Sequence, residues 1–378
     1  MIYFDSAATS FQKPPSVSLA MQEALQTMSS PGRGGYSAAM HAADTAFRCR
    51  TELQELFGAE TPEQVVFTMN ATHGLNIAIK TLIYPGSRVV ISGYEHNAVT
   101  RPLTAIGANV TVAESPLFQP NQALETFERA IAHGTDVVIC NHVSNVFGYI
   151  QPVEQIADLC REKEIPLIID ASQSAGILPV NLAKLGAAFI AMPGHKGLYG
   201  PQGTGVLLCG RNVQPKTLLE GGTGSASLQQ EMPDFLPDRL EAGTHNMPGI
   251  AGLLEGVRFV KRHNVREILM HEQNLAELMA AELKKIPGVQ VFTGNSMAAQ
   301  SGVVSFRTRR MDVEQLGEQL GQHQIAVRTG LHCAPLAHRS AGTLETGTVR
   351  ISFSVFNTTA EVNRTIKILR QILQAKSE

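Results

Sequence analysis

The chain has 378 residues, with 31 Lys and Arg against 33 Asp and Glu for a formal charge of -2, so it offers no basic field for a nucleic acid. No run reaches the roughly 18 to 20 apolar residues of a membrane span, and Met1 to Asp5 lacks a basic segment followed by an apolar one; a cytoplasmic protein of about two domains is expected. The five cysteines, Cys49, Cys140, Cys160, Cys209 and Cys333, form no CxxC pair, which speaks against a disulfide framework and a metal site.

In chain order, helical patterns at 14–28 and 42–57 flank the glycine-rich stretch Ser30-Pro-Gly-Arg-Gly-Gly-Tyr36. Strand-like apolar runs follow at 64–69, 88–92, 109–113, 136–141, 166–170, 187–192 and 205–209. Helical patterns at 72–82, 97–106, 123–133 and 152–164 separate most of them. Seven apolar strands alternating with helices predict an α/β fold with a mostly parallel sheet covered on both faces, and ligands then sit at the carboxyl ends of the strands. A Gly/Pro-rich connection over 221–249 is too long to be idle. A long helical pattern over 250–286, broken near Asn264, leads to strands at 289–293, 302–307, 325–328 and 348–354 and helices at 312–322 and 359–375, a smaller α+β domain.

The residues just past the strand ends carry the chemical signal. Asn70-Ala-Thr-His-Gly74 opens a helix, where free amides and the Thr72 hydroxyl make an anion site, although an ordinary threonine cap reads the same way. His96 and Asn145 follow two further strands. Asp170 ends the apolar run Pro166-Leu-Ile-Ile169 and needs a cationic partner to stay charged there. Lys196 lies among glycines in Pro193-Gly-His-Lys-Gly-Leu-Tyr-Gly200, where desolvation would free its amine as a nucleophile. An amine for an imine, a carboxylate for a pyridinium and a phosphate site at a helix start together describe pyridoxal 5'-phosphate.

These segments resemble the class V aminotransferase-like enzymes, and within them the cysteine desulfurases and selenocysteine lyases. The likeness rests on Tyr3-Phe-Asp-Ser-Ala-Ala8, Glu95-His96, His142-Val-Ser-Asn145-Val-Phe-Gly148, Asp170-Ala-Ser-Gln173, Gly194-His-Lys196, Tyr199-Gly-Pro201, Glu241-Ala-Gly-Thr244 and Arg328-Thr-Gly-Leu-His-Cys333-Ala334. It implies the fold type I of pyridoxal phosphate enzymes, with a large domain over 1–255, whose N-terminal segment packs on the other domain, and a small one over 256–378 carrying the Cys333 loop. It implies further that Lys196 binds the cofactor aldehyde, Asp170 pairs with the ring nitrogen, His96 stacks on the ring, and Asn145 and Gln173 contact the ring oxygen. Thr72, His73 and His195 would hold the phosphate, with Thr244 reaching across from the partner in a homodimer. Arg350, Asn145 and Ala8 would receive the substrate, Arg350 taking its carboxylate.

On this resemblance L-cysteine loses its sulfur to Cys333 as a persulfide, leaves as L-alanine, and the sulfur passes to an acceptor, a protein among the candidates. Arg328, His332 and His338 are expected to favour a Cys333 thiolate, and Gly330 to let its loop move. Selenocysteine lyase, or another lyase or transaminase of the same scaffold, is the alternative enzyme, and a sulfur-relay scaffold the alternative of another kind. Two residues depart from the family pattern: Pro193 replaces a phosphate-binding serine, and Tyr36 a histidine of the Arg-Gly-x-His loop.

Overall fold

The computed structural model describes residues 1–32, 34–132 and 134–374. The expected helix ends at His133 and Ala375, and Arg33 of the glycine-rich stretch, lie outside the described residues. The chain opens with β1 (Ile2–Tyr3), α1 (Pro15–Thr27) and α2 (Ser37–Phe57). It then runs through β2 (Val65–Thr68), α3 (Ala71–Leu82), β3 (Arg88–Ser92), α4 (Asn97–Ile106), β4 (Asn109–Ala113), α5 (Pro120–Ile131), β5 (Val137–Asn141) and α6 (Val153–Glu162). β6 (Leu167–Asp170), α7 (Leu182–Leu185), β7 (Phe189–Pro193) and β8 (Gly205–Cys209) complete the first half.

Strands β2 to β8 form one seven-stranded sheet in the order β2-β8-β7-β6-β5-β3-β4, with β8 antiparallel to both neighbours and the other pairings parallel. The inner strands alternate between two apolar layers, whereas the edge strand β4 is largely exposed. Val90, Cys140, Ile169 and Ile190 face a core that includes Leu53 and Phe57 of α2. Ile91, Ile139, Ile168 and Phe189 face the layer of Leu75 and Ile79 from α3 and Val99 and Leu103 from α4. Burial of each such side chain is worth about 1.5–3 kcal/mol, which is why the expected strands form so nearly where the apolar runs lie.

Residues 221–246 are irregular apart from one short turn of helix at Asp238–Leu240. α8 (Met247–His263) follows, and α9 (Val265–Lys284) begins after Asn264, whose φ of 66° breaks the helix and whose side chain caps the next one. Asparagine tolerates the left-handed region and supplies the cap oxygen, so one residue does both. Residue 255 falls inside α8, and its Ile250, Leu253 and Val257 belong to the core of the large sheet.

The remaining elements are β9 (Val289–Phe292), β10 (Val303–Thr308), α10 (Val313–Gln322), β11 (Ile325–Ala326), β12 (Arg328–Gly330), α11 (Pro335–Ser340), β13 (Thr348–Ser352) and α12 (Thr359–Gln374). A four-stranded antiparallel sheet, β12-β13-β10-β9, packs with Leu275 and Met279 of α9, Leu316 of α10 and Leu369 of α12. Ile2 and Phe4 join this second core, and β1 pairs in parallel with β11. The single strand expected over 325–328 is thus two short strands serving two different sheets. Gly330, expected to loosen the Cys333 loop, instead lies in β12, paired with Thr348.

Candidate active site

The carboxyl ends of the parallel strands and the start of α3 enclose a cleft of about 110 Å³. Asp170 reaches it from the end of β6, Pro193 and the following His195 and Lys196 from β7, His96 from the turn after β3, and Thr72 from the first turn of α3. Asn145 and Gln173 complete the polar wall. Seven of the residues singled out in the sequence, Thr72, His96, Asn145, Asp170, Gln173, His195 and Lys196, therefore line one cavity. A larger groove of about 700 Å³ runs past Gly58, Glu60 and Cys160 beside the starts of β6 and β7; its cations Arg161, Arg211 and Lys216 already contact Asp158, Glu60 and Tyr84.

Asp170 is 5% exposed, and one of its oxygens accepts a hydrogen bond from the Ser172 N–H at 2.9 Å. No cation is ion-paired with it among the described residues. A buried carboxylate facing a cavity without an ion pair fits a cationic ring nitrogen. Lys196 keeps some surface because it faces the cleft, but the cleft walls crowd its amine. Burial pulls its pKa down to about 8, with Asp170 pulling the other way and the charges of Arg350 and Arg328 adding to the fall. The glycines about the lysine are there for space: a Cβ at Gly197 would lie 2.4 Å from the Ala175 carbonyl oxygen.

His96 caps α4, its Nδ1 accepting from the Ala98 N–H at 3.0 Å, and burial lowers its pKa, so a neutral ring faces the cleft. The cap of α3 is the side chain of Asn70, not Thr72, which leaves the Thr72 hydroxyl exposed beside the cleft. His195 bonds Thr9 through Nδ1 at 3.0 Å, and burial takes it down to about 4. Gln173 donates to the Ala7 carbonyl at 2.9 Å. Asn145 donates to the His332 carbonyl at 2.8 Å while its own Oδ1 is buried without a partner.

The other candidates sit outside the cleft wall. The Nδ1 of His73 accepts from the Met69 N–H at 3.3 Å, Ala8 lies in a turn closed by Asp5, and Thr244 is exposed. Arg350, on β13 and 2% exposed, donates to the Asn145 carbonyl at 2.9 Å and to Asp5 at 2.7 Å. Cys333 is exposed, in contrast to the four buried cysteines. Its φ of 57° and that of His332, 50°, are both left-handed, and its carbonyl accepts from the Asn97 N–H at 2.8 Å.

The expected basic neighbourhood of Cys333 is largely absent. His332 and His338 are buried, and desolvation takes them to about 2 and about 4, so both are neutral and give a thiolate no charge to pair with. Asn70, Asn141 and Ser172 also line the cleft and were not singled out; only their places beside strand ends could have marked them.

The family model described as Aminotransferase class-V matches residues 2–365. A protein of Methanothermobacter thermautotrophicus named probable cysteine desulfurase is 31% identical over 98% of this chain and 94% of its own length. One of the same name from Mycolicibacterium paratuberculosis is 32% identical over 99% of this chain, which spans 56% of that protein. Among solved structures, the apo cysteine desulfurase of Thermococcus onnurineus superposes with a TM-score of 0.91 at 30% identity, covering 99% of this chain and 95% of that one. A cysteine desulfurase of Escherichia coli follows at a TM-score of 0.86 and 25% identity, covering 99% and 94%. With one family model running from residue 2 to residue 365, through all three sheets, the chain belongs to the class-V aminotransferases.

Proposed function

We propose that this protein is a pyridoxal phosphate-dependent cysteine desulfurase, turning L-cysteine into L-alanine and taking the sulfur onto Cys333 as a persulfide. The observation that carries the reading is the pair Lys196 and Asp170 on one cleft wall: an amine whose pKa burial brings down to about 8, beside a buried carboxylate with no ion pair among the described residues. The names of relatives aligned over nearly the whole chain support the substrate.

Pyridoxal phosphate, when bound, withdraws electrons from the substrate Cα through its protonated ring. Lys196 would hold the cofactor aldehyde, and its amine in the unprotonated form would move the substrate Cα proton. Asp170 would pair with the ring nitrogen and keep it protonated. His96 would lie against the ring, and Asn145 and Gln173 would hold its oxygen. Thr72, His195 and the first amides of α3 would take the phosphate, with His73 beside them; Pro193 would supply no hydroxyl there. Arg350 pairs with the substrate carboxylate, near Asn145 and Ala8. The Cys333 thiolate forms a bond to the substrate sulfur as the carbon–sulfur bond breaks, so the sulfur stays on the protein and the carbon skeleton leaves as alanine.

A homodimer with Thr244 reaching the partner's phosphate belongs to the same proposal. Met40, Phe47 and Met69 are each more than half exposed and Leu228 fully so, apolar surface that a second copy would cover. We assign residues 1–255 to the cofactor domain and 256–378 to the small domain. No helix among the described residues is long and apolar enough to cross a membrane, and the cytoplasm is the compartment we assign. Exposure of Cys333 suits onward transfer of sulfur to an acceptor.

Mass spectrometry after incubation with L-cysteine tests the proposal. One added sulfur is expected on the Cys333 peptide, removable by a reductant, and Cys333→Ala should lose sulfide release while keeping the bound cofactor's colour. Desulfuration of cysteine unchanged in Cys333→Ala would refute it.

A further inference from the structure

The guanidinium of Arg350 is almost wholly enclosed, and its hydrogen bonds are unevenly spent. Nη1 donates to the Asn145 carbonyl at 2.9 Å, Nη2 donates to Oδ1 of Asp5 at 2.7 Å, and Nε is buried with no partner. A carboxylate binds a guanidinium best along an edge, through two parallel N–H groups. The edge with a free donor is Nε and Nη2, and Asp5 already sits on half of it. Asp5 comes from a segment far away in sequence, and its side chain makes no other hydrogen bond among the described residues. Its backbone is pinned: Ser352 donates to the Phe4 carbonyl at 2.8 Å, and the Tyr3 hydroxyl donates to the Asp5 carbonyl at 3.1 Å. The Asp5 carboxylate can therefore turn aside without the chain moving. Its side chain is 18% exposed against 2% for Arg350, so water is at hand to receive it.

We propose that Asp5 is a stand-in for the substrate carboxylate: it neutralises Arg350 in the empty site, and an incoming carboxylate must share or displace it. This rests on the assignment of Arg350 to the substrate carboxylate. An unpaired buried guanidinium would be costly, so the stand-in stabilises the empty site; the same charge then opposes every carboxylate that enters. Asp5 is on this account a specificity-determining residue that weakens binding of acids and leaves uncharged analogues alone. Orientation of Arg350 comes from the Asn145 carbonyl, which survives the loss of Asp5.

The test is the holoenzyme with L-alanine and L-alaninamide, their dissociation constants read by calorimetry. Asp5→Asn keeps the shape and a hydrogen-bond acceptor and removes the charge. L-alanine should bind roughly tenfold tighter to it than to the wild type, the scale of one like charge a few ångströms away in a partly wet site. L-alaninamide should bind both proteins alike, and the KM for L-cysteine should fall while that for its methyl ester does not. Asp5→Ser should shift affinities the same way, which guards against an effect peculiar to asparagine. Unchanged or weaker L-alanine binding in both variants, or an equal gain for the amide, overturns the role of Asp5. A wild type that prefers the amide over the acid, with Arg350→Gln making no difference, instead overturns the assignment of Arg350, and the role of Asp5 with it.

Discussion

The two residues proposed as nucleophiles stand in opposite surroundings. Lys196 stands just past a strand end in the cleft, between Gly194 and Gly197 in sequence, and burial takes its pKa to about 8. Cys333 stands on an exposed turn of left-handed backbone between β12 and α11. The difference follows from what each must meet. An amine is unreactive until it loses a proton, so the protein spends burial on it. A thiol that hands its cargo onward must be reached from outside, and burial would push its pKa the wrong way, as it does for Cys49 and Cys160, each raised to about 12.

The sharpest way to break this contrast is Lys196→Ala. The visible colour of the bound cofactor should vanish, and turnover should fall on the order of 10³-fold or more. Because Cys333→Ala keeps the colour, absorbance and sulfide release separate the two roles; a coloured, active Lys196→Ala would dissolve the distinction.

A smaller effect comes from pH. Only the neutral amine attacks an aldehyde, so capture of added pyridoxal phosphate by the apoprotein should quicken roughly tenfold per pH unit below 8 and level off above about 8. A rate still climbing at pH 10 would mean an amine as basic as a solvated lysine.

The smallest expected effect concerns a group enclosed like Lys196 but outside the chemistry. Glu272 on α9 is buried, makes no hydrogen bond among the described residues, and is raised to about 8 by desolvation. Between the unfolded carboxyl value, near 4.3, and 8 the folded chain holds a proton that the unfolded chain releases, so stability falls as pH rises across that window. Urea midpoints for Glu272→Gln should decline less between pH 5 and 8 (roughly the window set by those two values) than those of the wild type. Parallel slopes would show that Glu272 is charged throughout.

The two regions also differ in how far they could be read without a structure. Lys196, Asp170 and His96 were legible because parallel strands deliver their last residues to one edge, so that locating the strands gathers the side chains. The second region gave less. β12 is three residues ending in glycine, too short to signal a strand, and α11 is only six residues long. The neutrality of His332 and His338 depends on burial by residues brought together only in the fold, and the pairing of Asp5 with Arg350 joins positions 345 apart. Thr72 was read as a possible cap, yet Asn70, two residues earlier, takes that role because its Oδ1 reaches the His73 N–H at 2.9 Å.

The hydrogen bond from the Asn97 N–H to the Cys333 carbonyl has a practical corollary for anyone redesigning this catalyst. Asn97 opens the helix that His96 caps, so the turn bearing His96 and the turn bearing Cys333 share one fastening. Mutagenesis that remodels either turn to admit a bulkier amino acid will shift the other, and the two must be varied as a unit.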